Sequence, residues 1–476
     1  MRFDVAIIGA GMSGLAAGVR LAHFGKKVVI LERHTVFGGL NSFYKKRGHH
    51  FDTGLHAMTN WVAPGHRGSR LPLQRVLRQL RIRAEDLNLE PQTHSEIVFP
   101  GCRLNFENGL ERLTEEIRRA FPAALPGFLE LCARTAQYPE ALADAPWVSG
   151  RAVLSELIED PLLVEMLLCP LLYYGSAEVD DLDFTQLVIL FNSIFREGFC
   201  RPRAGVKPVL FALVRRFEEA GGVMLRGDGV RSIRVGGGRA CGLELESGEQ
   251  VAADLVISTA GLAETARLRS DRSASGSASG SASASGAGDS EANGRIAFTE
   301  SVFVLDRPPG DFGHRPAITF FSDRVPFRFR PPQDAPVDVG SGVICCPDNF
   351  AHREPLEQHH LRVTHLADPA AWLGFDEADY RHAKEAWLAR STEAIERHTG
   401  PFRGFVKAVD SFTPRTVKKY TGHDNGAVYG SPRKQRTGRT DLPNLFLAGT
   451  DQGLLGIVGA MLSGISVANA YVLPAG

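Results

Sequence analysis

The chain opens with short apolar runs separated by glycine turns. Residues 4–8 (DVAII) and 27–31 (KVVIL) have the length and β-branching of buried strands. Between them Leu15, Val19 and Ala22 recur at i, i+4 and i+7, one face of a helix. The order predicts a β-α-β unit at the N-terminus. Further along, SEIVFP and CRLNFE predict a hairpin, and residues 206–221 predict an amphipathic helix. Four short strands then follow up to residue 257, separated by glycine turns. TESVFVLD, AITFFSD and GVICC read as strands, with a helix around residues 380–398. Residues 162–174 and 182–195 are almost wholly apolar. They suit either core helices or the wall of an apolar tunnel, and periodicity does not separate the two.

This pattern predicts an α/β fold that opens with a β-α-β unit. Residues 270–294 are largely a Ser/Gly/Ala tract with nothing to offset the entropy of ordering. A disordered surface loop without chemistry is expected there.

Composition changes this picture little. The 476 residues carry 54 Lys plus Arg against 54 Asp plus Glu, so no global field attracts nucleic acid. The 7 cysteines include no CxxC pair, which argues against a zinc site, and vicinal Cys345 and Cys346 sit in a strand-like run suited to a reducing cytosol. No metal site is expected. Residues 452–476 lack charged side chains, yet their Gly, Ser and Asn content favours a buried helix over a membrane span. The expected location is cytoplasmic, with peripheral membrane contact if residues 182–195 rest on a bilayer beside Arg196, Arg201 and Arg203.

The sequence GAGMSG places Gly9, Gly11 and Gly14 in G-x-G-x-x-G spacing between the first strand and helix. Gly9 makes the turn, Gly11 admits a pyrophosphate, and Gly14 lets helix and strand close. The helix N-terminus at Ser13 offers free N–H groups to phosphate. Glu32 ends the second strand, where an acid accepts a ribose 2′-OH.

The next residues separate NAD from FAD. Glu32 and Arg33 are followed by Gly38, Gly39, Leu40, Asn41 and Ser42, then by FDTGLH with Gly54, Leu55 and His56. This run resembles the second glycine motif of the flavoprotein amine oxidase and phytoene desaturase superfamily. Residues 205–260 resemble the middle flavin segment of the same group, with Val230 on the adenine side and Ala260 at the end of the strand. LPNLFLAGTD, with Gly449 and Asp451, resembles its closing motif. The Gly-rich helix that follows, with Val458 and Gly459, would aim its N-terminus at the flavin pyrimidine oxygen. The block from Thr413 to Gly430 (TPRTVKKYTG, then GAVYG) resembles the branch of carotenoid isomerases, phytoene desaturases and retinol saturases.

The resemblance implies FAD as cofactor. It implies that the nucleotide-binding domain, with a central parallel sheet, is split into residues 1–70, 205–269 and 411–476, with a mixed α+β substrate domain at 71–204, mostly helical and apolar, and 295–410. It implies an oxidoreductase that desaturates, saturates or isomerises carbon–carbon double bonds of a long polyene, isoprenoid or polyunsaturated acyl chain. His56, Tyr173, Tyr174 and Arg201 are the candidate acid–base or head-group residues; Tyr173 and Tyr174 are read as part of a turn. Thr450–Gly456 (TDQGLLG) departs from the Pro-Gly-Gly run of many relatives, which bears on substrate choice. Two other readings stand beside this one: an amine-oxidase-like flavoenzyme, and a non-catalytic lipid-binding escort of the same fold. The electron donor or acceptor and the oligomeric state are not encoded in any motif.

Overall fold

The computed structural model describes residues 2–61, 72–138, 146–273 and 293–474. The Ser/Gly/Ala tract falls, at 274–292, outside the described residues.

Buried β-branched runs pair first with one another. Arg2–Ile8 lies between Val28–Glu32 and Gln250–Ser258, parallel to both, and Val223–Arg226 and Leu445–Leu447 extend the parallel order at either side. Strands covered by helices or hairpins on both faces must be apolar throughout, and Val5, Ala6, Ile7, Val29 and Ile30 are fully buried. Val230–Gly236 and Arg239–Leu245 add an antiparallel extension, joined by the Gly237-Gly238 turn. Helices Met12–Ala22, Lys207–Glu219 and Gly456–Val467 pack together through small residues. A Cβ on Gly18 would stand 2.8 Å from Ile30 and 3.0 Å from Phe217, and one on Gly464 would stand 2.0 Å from the Ser13 carbonyl oxygen. These glycines set how closely the helices approach.

A second sheet runs Val406–Phe412, Ala297–Leu305, His359–Ala367, Ser341–Cys345, Ile318–Ser322, Ser95–Phe99, Cys102–Phe106. It is antiparallel except where Ile318–Ser322 meets Ser95–Phe99. Its apolar face packs against the helices Glu111–Ala120, Leu125–Gln137, Gly150–Leu157, Pro161–Gly175 and Phe184–Phe191.

Two expectations are corrected. Tyr173 and Tyr174 occupy the last turn of the helix Pro161–Gly175, whose start Asp160 caps through Leu162 N and Leu163 N. Residues 182–195 do not lie on the surface: Leu187, Val188, Phe191, Ile194 and Phe195 are fully buried. The apolar side chains a bilayer contact would use are spent on the core. Among the described residues no helix is long and apolar enough to cross a membrane.

Candidate functional site

Gly9 leaves the first strand at φ 99°, a left-handed conformation that disfavours any side chain. Helix Met12–Ala22 then starts at Gly11, with no side-chain cap and no acid in its first turn. Its leading N–H groups, including that of Ser13, therefore point outward without intrahelical acceptors. A Cβ on Gly11 would meet nothing within 4 Å, so the space before the helix is open. Gly14 is the opposite case: its Cβ would stand 2.0 Å from the Gly9 carbonyl oxygen.

Glu32 closes this corner. Its carboxylate accepts from Ala10 N at 2.8 Å and His34 N at 2.9 Å, which leaves a second lone pair on each oxygen. Gly229, beside Val230, passes Arg33 so closely that a Cβ would lie 3.0 Å from Arg33 Cβ. The loop through Gly38 and Gly39, both at positive φ, bridges to Gly11. Asn41 and Ser42 finish the turn, with Ser42 Oγ donating to Phe37 O at 2.9 Å. The FDTGLH turn presses on it: Thr53 N and Oγ1 both donate to Ser42 O, and a Cβ on Gly54 would stand 2.4 Å from Leu40 O.

The closing motif arrives from the far end of the chain. A Cβ on Gly449 would lie 3.2 Å from Ser13 Oγ, and Gly449 N donates to Ser463 Oγ at 2.6 Å. Asp451 is buried, and its carboxylate takes Leu262 N, two residues after Ala260, and Ser431 N. It thereby staples three remote segments. Helix Gly456–Val467 also begins without a side-chain cap, and Val458 and Gly459 lie in its first turn. Two uncapped helix starts, an acid with spare lone pairs and a glycine-lined opening fit a dinucleotide with a ring system at its far end. FAD would be held by the Ser13 end, Glu32, the Gly38-Gly39 loop and the Val458 end.

The turn that carries His56 is held by two buried arginines. Arg201 donates to Leu55 O at 2.6 Å, to His56 O at 2.7 Å and to Asp52 Oδ2 at 2.7 Å. Arg362 donates to Asp52 O at 2.9 Å, Thr53 O at 2.7 Å and the Glu300 carboxylate. Without these donors the turn's carbonyls would be buried unpaired. Arg201 was expected to take a head group; its fork is occupied by the turn instead.

His56 Nε2 lies 3.0 Å from Thr364 Oγ1 and 3.5 Å from Glu300 Oε2. Burial pushes the Glu300 carboxyl up, but the Arg362 and His56 charges outweigh it and hold the group below its ordinary value. Cys345 Sγ sits 3.5 Å from His56 O, its thiol pushed up to about 11 by burial. Of the tyrosines, Tyr173 is engaged with Ser341 Oγ at 2.9 Å. The Tyr174 hydroxyl is buried without a partner, and its ring lies 6.5 Å from that of His56, 5.1 Å from Phe199 and 5.4 Å from Phe320.

Glu300, Thr364 and Arg362 were missed by sequence reasoning. The available signal was a charge inside each of two apolar strands, AFTESVFVL and HHLRVTHLA. Their register sets Glu300 opposite Thr364 and diagonal to Arg362. Lys434 was missed too. It donates to Tyr429 O at 2.6 Å and lies 3.9 Å from Asp451 Oδ1, and burial brings its ammonium down to about 8. The Thr413–Gly430 block lies against the nucleotide corner: Tyr420 meets His34 edge-on at 5.3 Å, and a Cβ on Gly422 would lie 2.7 Å from the Arg33 guanidinium.

Known proteins share this architecture. An all-trans-retinol 13,14-reductase of Danio rerio is 23% identical across 97% of this chain and 85% of its own length. Prolycopene isomerase 1 of an Oncidium hybrid cultivar is 22% identical across 93% of this chain and 77% of its own. An oxidoreductase from Methanosarcina mazei superposes with a TM-score of 0.69 at 18% identity, covering 98% of this chain and all of that one. A redesigned putrescine oxidase does so with a TM-score of 0.62 at 17% identity, covering 100% and 99%. The model of the flavin containing amine oxidoreductases matches residues 12–471, and the chain belongs to that family.

Proposed function

We propose that the protein is an FAD-dependent oxidoreductase that changes carbon–carbon double bonds in a long apolar polyene, isoprenoid or polyunsaturated acyl chain. One observation carries the reading. Beside the FDTGLH turn the Tyr174 hydroxyl is buried without a partner, and its ring is set among Phe199, Phe320 and His56, while the Arg362 Nε is unpaired at the same turn. The charged groups there are matched internally, Arg201 with Asp52 and Arg362 with Glu300. An apolar chain loses nothing by entering such surroundings, whereas an ammonium would find Glu300 already neutralised. The names of the retinol reductase and the prolycopene isomerase agree with double-bond chemistry.

Flavin, when bound, supplies hydride exchange with carbon. The chain's part is to hold the substrate beside the His56 turn, exclude water and handle a proton. In this reading His56 exchanges that proton and Tyr174 donates a hydrogen bond. Arg201 and Arg362 fix the turn on which His56 rides.

The test is incubation of the FAD-loaded protein with carotenoid, retinoid and acyl candidates and with amines, with and without a reductant. Mass spectrometry should show gain, loss or rearrangement of hydrogens in an apolar chain. Turnover of amines alone would overturn the proposal.

A further inference from the structure

The His56 side chain ends a directional hydrogen-bond chain. Arg362 is buried and donates to Glu300, and its two terminal nitrogens also donate to Asp52 O and Thr53 O, while its Nε is buried without a partner. Glu300, held ionised by that pairing, can only accept. Thr364 Oγ1 therefore donates to Glu300 Oε2, at 3.4 Å, and has lone pairs left for His56 Nε2 at 3.0 Å. A lone pair facing Nε2 requires the proton to be there. The direct approach of Glu300 Oε2 to Nε2, 3.5 Å, asks for the same thing. Nδ1 makes no hydrogen bond among the described residues.

We infer that Glu300, Thr364 and Arg362 are positioning residues that fix His56 in its Nε2–H tautomer, so that Nδ1 is the proton acceptor facing the substrate. The inference rests on the reading that the reacting carbons lie beside His56. In a dehydrogenation, bound FAD would supply the acceptor for the hydride lost from one carbon. The proton on the next carbon goes to Nδ1, and the electron pair of that C–H bond closes the C=C bond. The imidazolium so formed is stabilised by Glu300 through Thr364. In the reverse direction it returns the proton. The logic is that of any histidine base whose second nitrogen is tied to a carboxylate, here with a threonine hydroxyl between them. Other groups near the ring do not compete: Tyr174 is neutral, Cys345 is held as a thiol, and among the described residues Arg201 bonds the turn's carbonyls and Asp52.

Nitrogen NMR of the FAD-loaded, 15N-histidine-labelled protein reads this without any substrate, with the His56 signals assigned by their loss in His56→Gln. The wild type should show the Nε2–H pattern at a pH where the ring is neutral. Glu300→Gln should invert it: the amide oxygen turns to Arg362, the NH2 group donates towards Thr364 and His56, and Nε2 becomes the acceptor. Thr364→Val should give a mixture, and Thr364→Ser should restore the wild-type pattern. Once a substrate is found, Thr364→Val should lower kcat about 100-fold with KM unchanged. An Nδ1–H wild type, or a pattern indifferent to both Thr364→Val and Glu300→Gln, would overturn the inference. Failure of every apolar substrate would instead strike the proposed function and leave the tautomer result standing.

Discussion

Arg201→Met tests whether this arginine builds the site or acts in it. The residue is 4% exposed and its side chain makes three charge-assisted bonds, to Leu55 O, His56 O and Asp52. Methionine fills most of the volume but donates nothing. It leaves the Asp52 carboxylate with Val206 N at 3.1 Å, removes the arginine donor from Leu55 O, and leaves His56 O with the weak Cys345 thiol. Breaking one side of a buried ion pair costs about 3–5 kcal/mol. Hydrogen bonds to a charged group run about 1.5–3 kcal/mol each, and since the two accounts overlap they are not summed. A loss of about 4 kcal/mol is therefore expected. Lysine should recover less than half of it, because one ammonium cannot serve carbonyls and carboxylate in the geometry of the fork. The assay is urea denaturation followed by tryptophan fluorescence, with FAD retention measured in parallel. The variant should unfold at markedly lower urea and hold FAD less tightly, since the same turn presses on Leu40 and Ser42. A stability change below about 1 kcal/mol with activity abolished would refute the reasoning and return Arg201 to a direct role on the substrate.

Other consequences follow from the same geometry. Tyr174→Phe removes a buried hydroxyl that bonds nothing, so thermal stability should hold or rise by about 1 kcal/mol while turnover falls; a clear loss of stability would reveal a partner for that hydroxyl. Gly464→Ala drives a Cβ onto the Ser13 carbonyl oxygen, 2.0 Å away in this packing, and should cost about 3 kcal/mol and weaken FAD binding, measured by gel filtration of the reconstituted protein. His314 and His360 are both brought down to about 3 by burial, so between that pH and 6.5 the unfolded chain binds protons that the folded one does not. Stability is then full above about pH 6.5 and falls as pH drops towards 3, by several kcal/mol for the pair. Urea midpoints across that range should show the slope, and His360→Phe should flatten it.

The nucleotide corner was legible because its determinants are local. Gly9, Gly11, Gly14 and Glu32 lie on one β-α-β unit, and their spacing carries the turn, the open approach and the acid. The distant closing motif was legible as a resemblance, but the use of Asp451 was not. Its carboxylate is committed to backbone N–H groups of Leu262 and Ser431, a fact set by three segments meeting. The proton-handling groups were hidden for the same reason. His56 was visible on its motif, whereas Glu300, Thr364 and Arg362 become a site only through the register of two strands far from it in sequence. Arg201 looked like a surface cation because sequence does not reveal unpaired carbonyls. Residues 182–195 were ambiguous because a core helix and a membrane-facing one can share one composition, and burial separates those two.

The central claim is that one FAD is held by a cradle assembled from both ends and the middle of the chain. The most direct test is the visible absorption spectrum of the protein after reconstitution with FAD and gel filtration, beside a Gly11→Val variant that fills the open approach before the helix. The wild type should carry flavin bands at close to one FAD per chain and the variant should lose them. A wild type that emerges colourless would contradict the account.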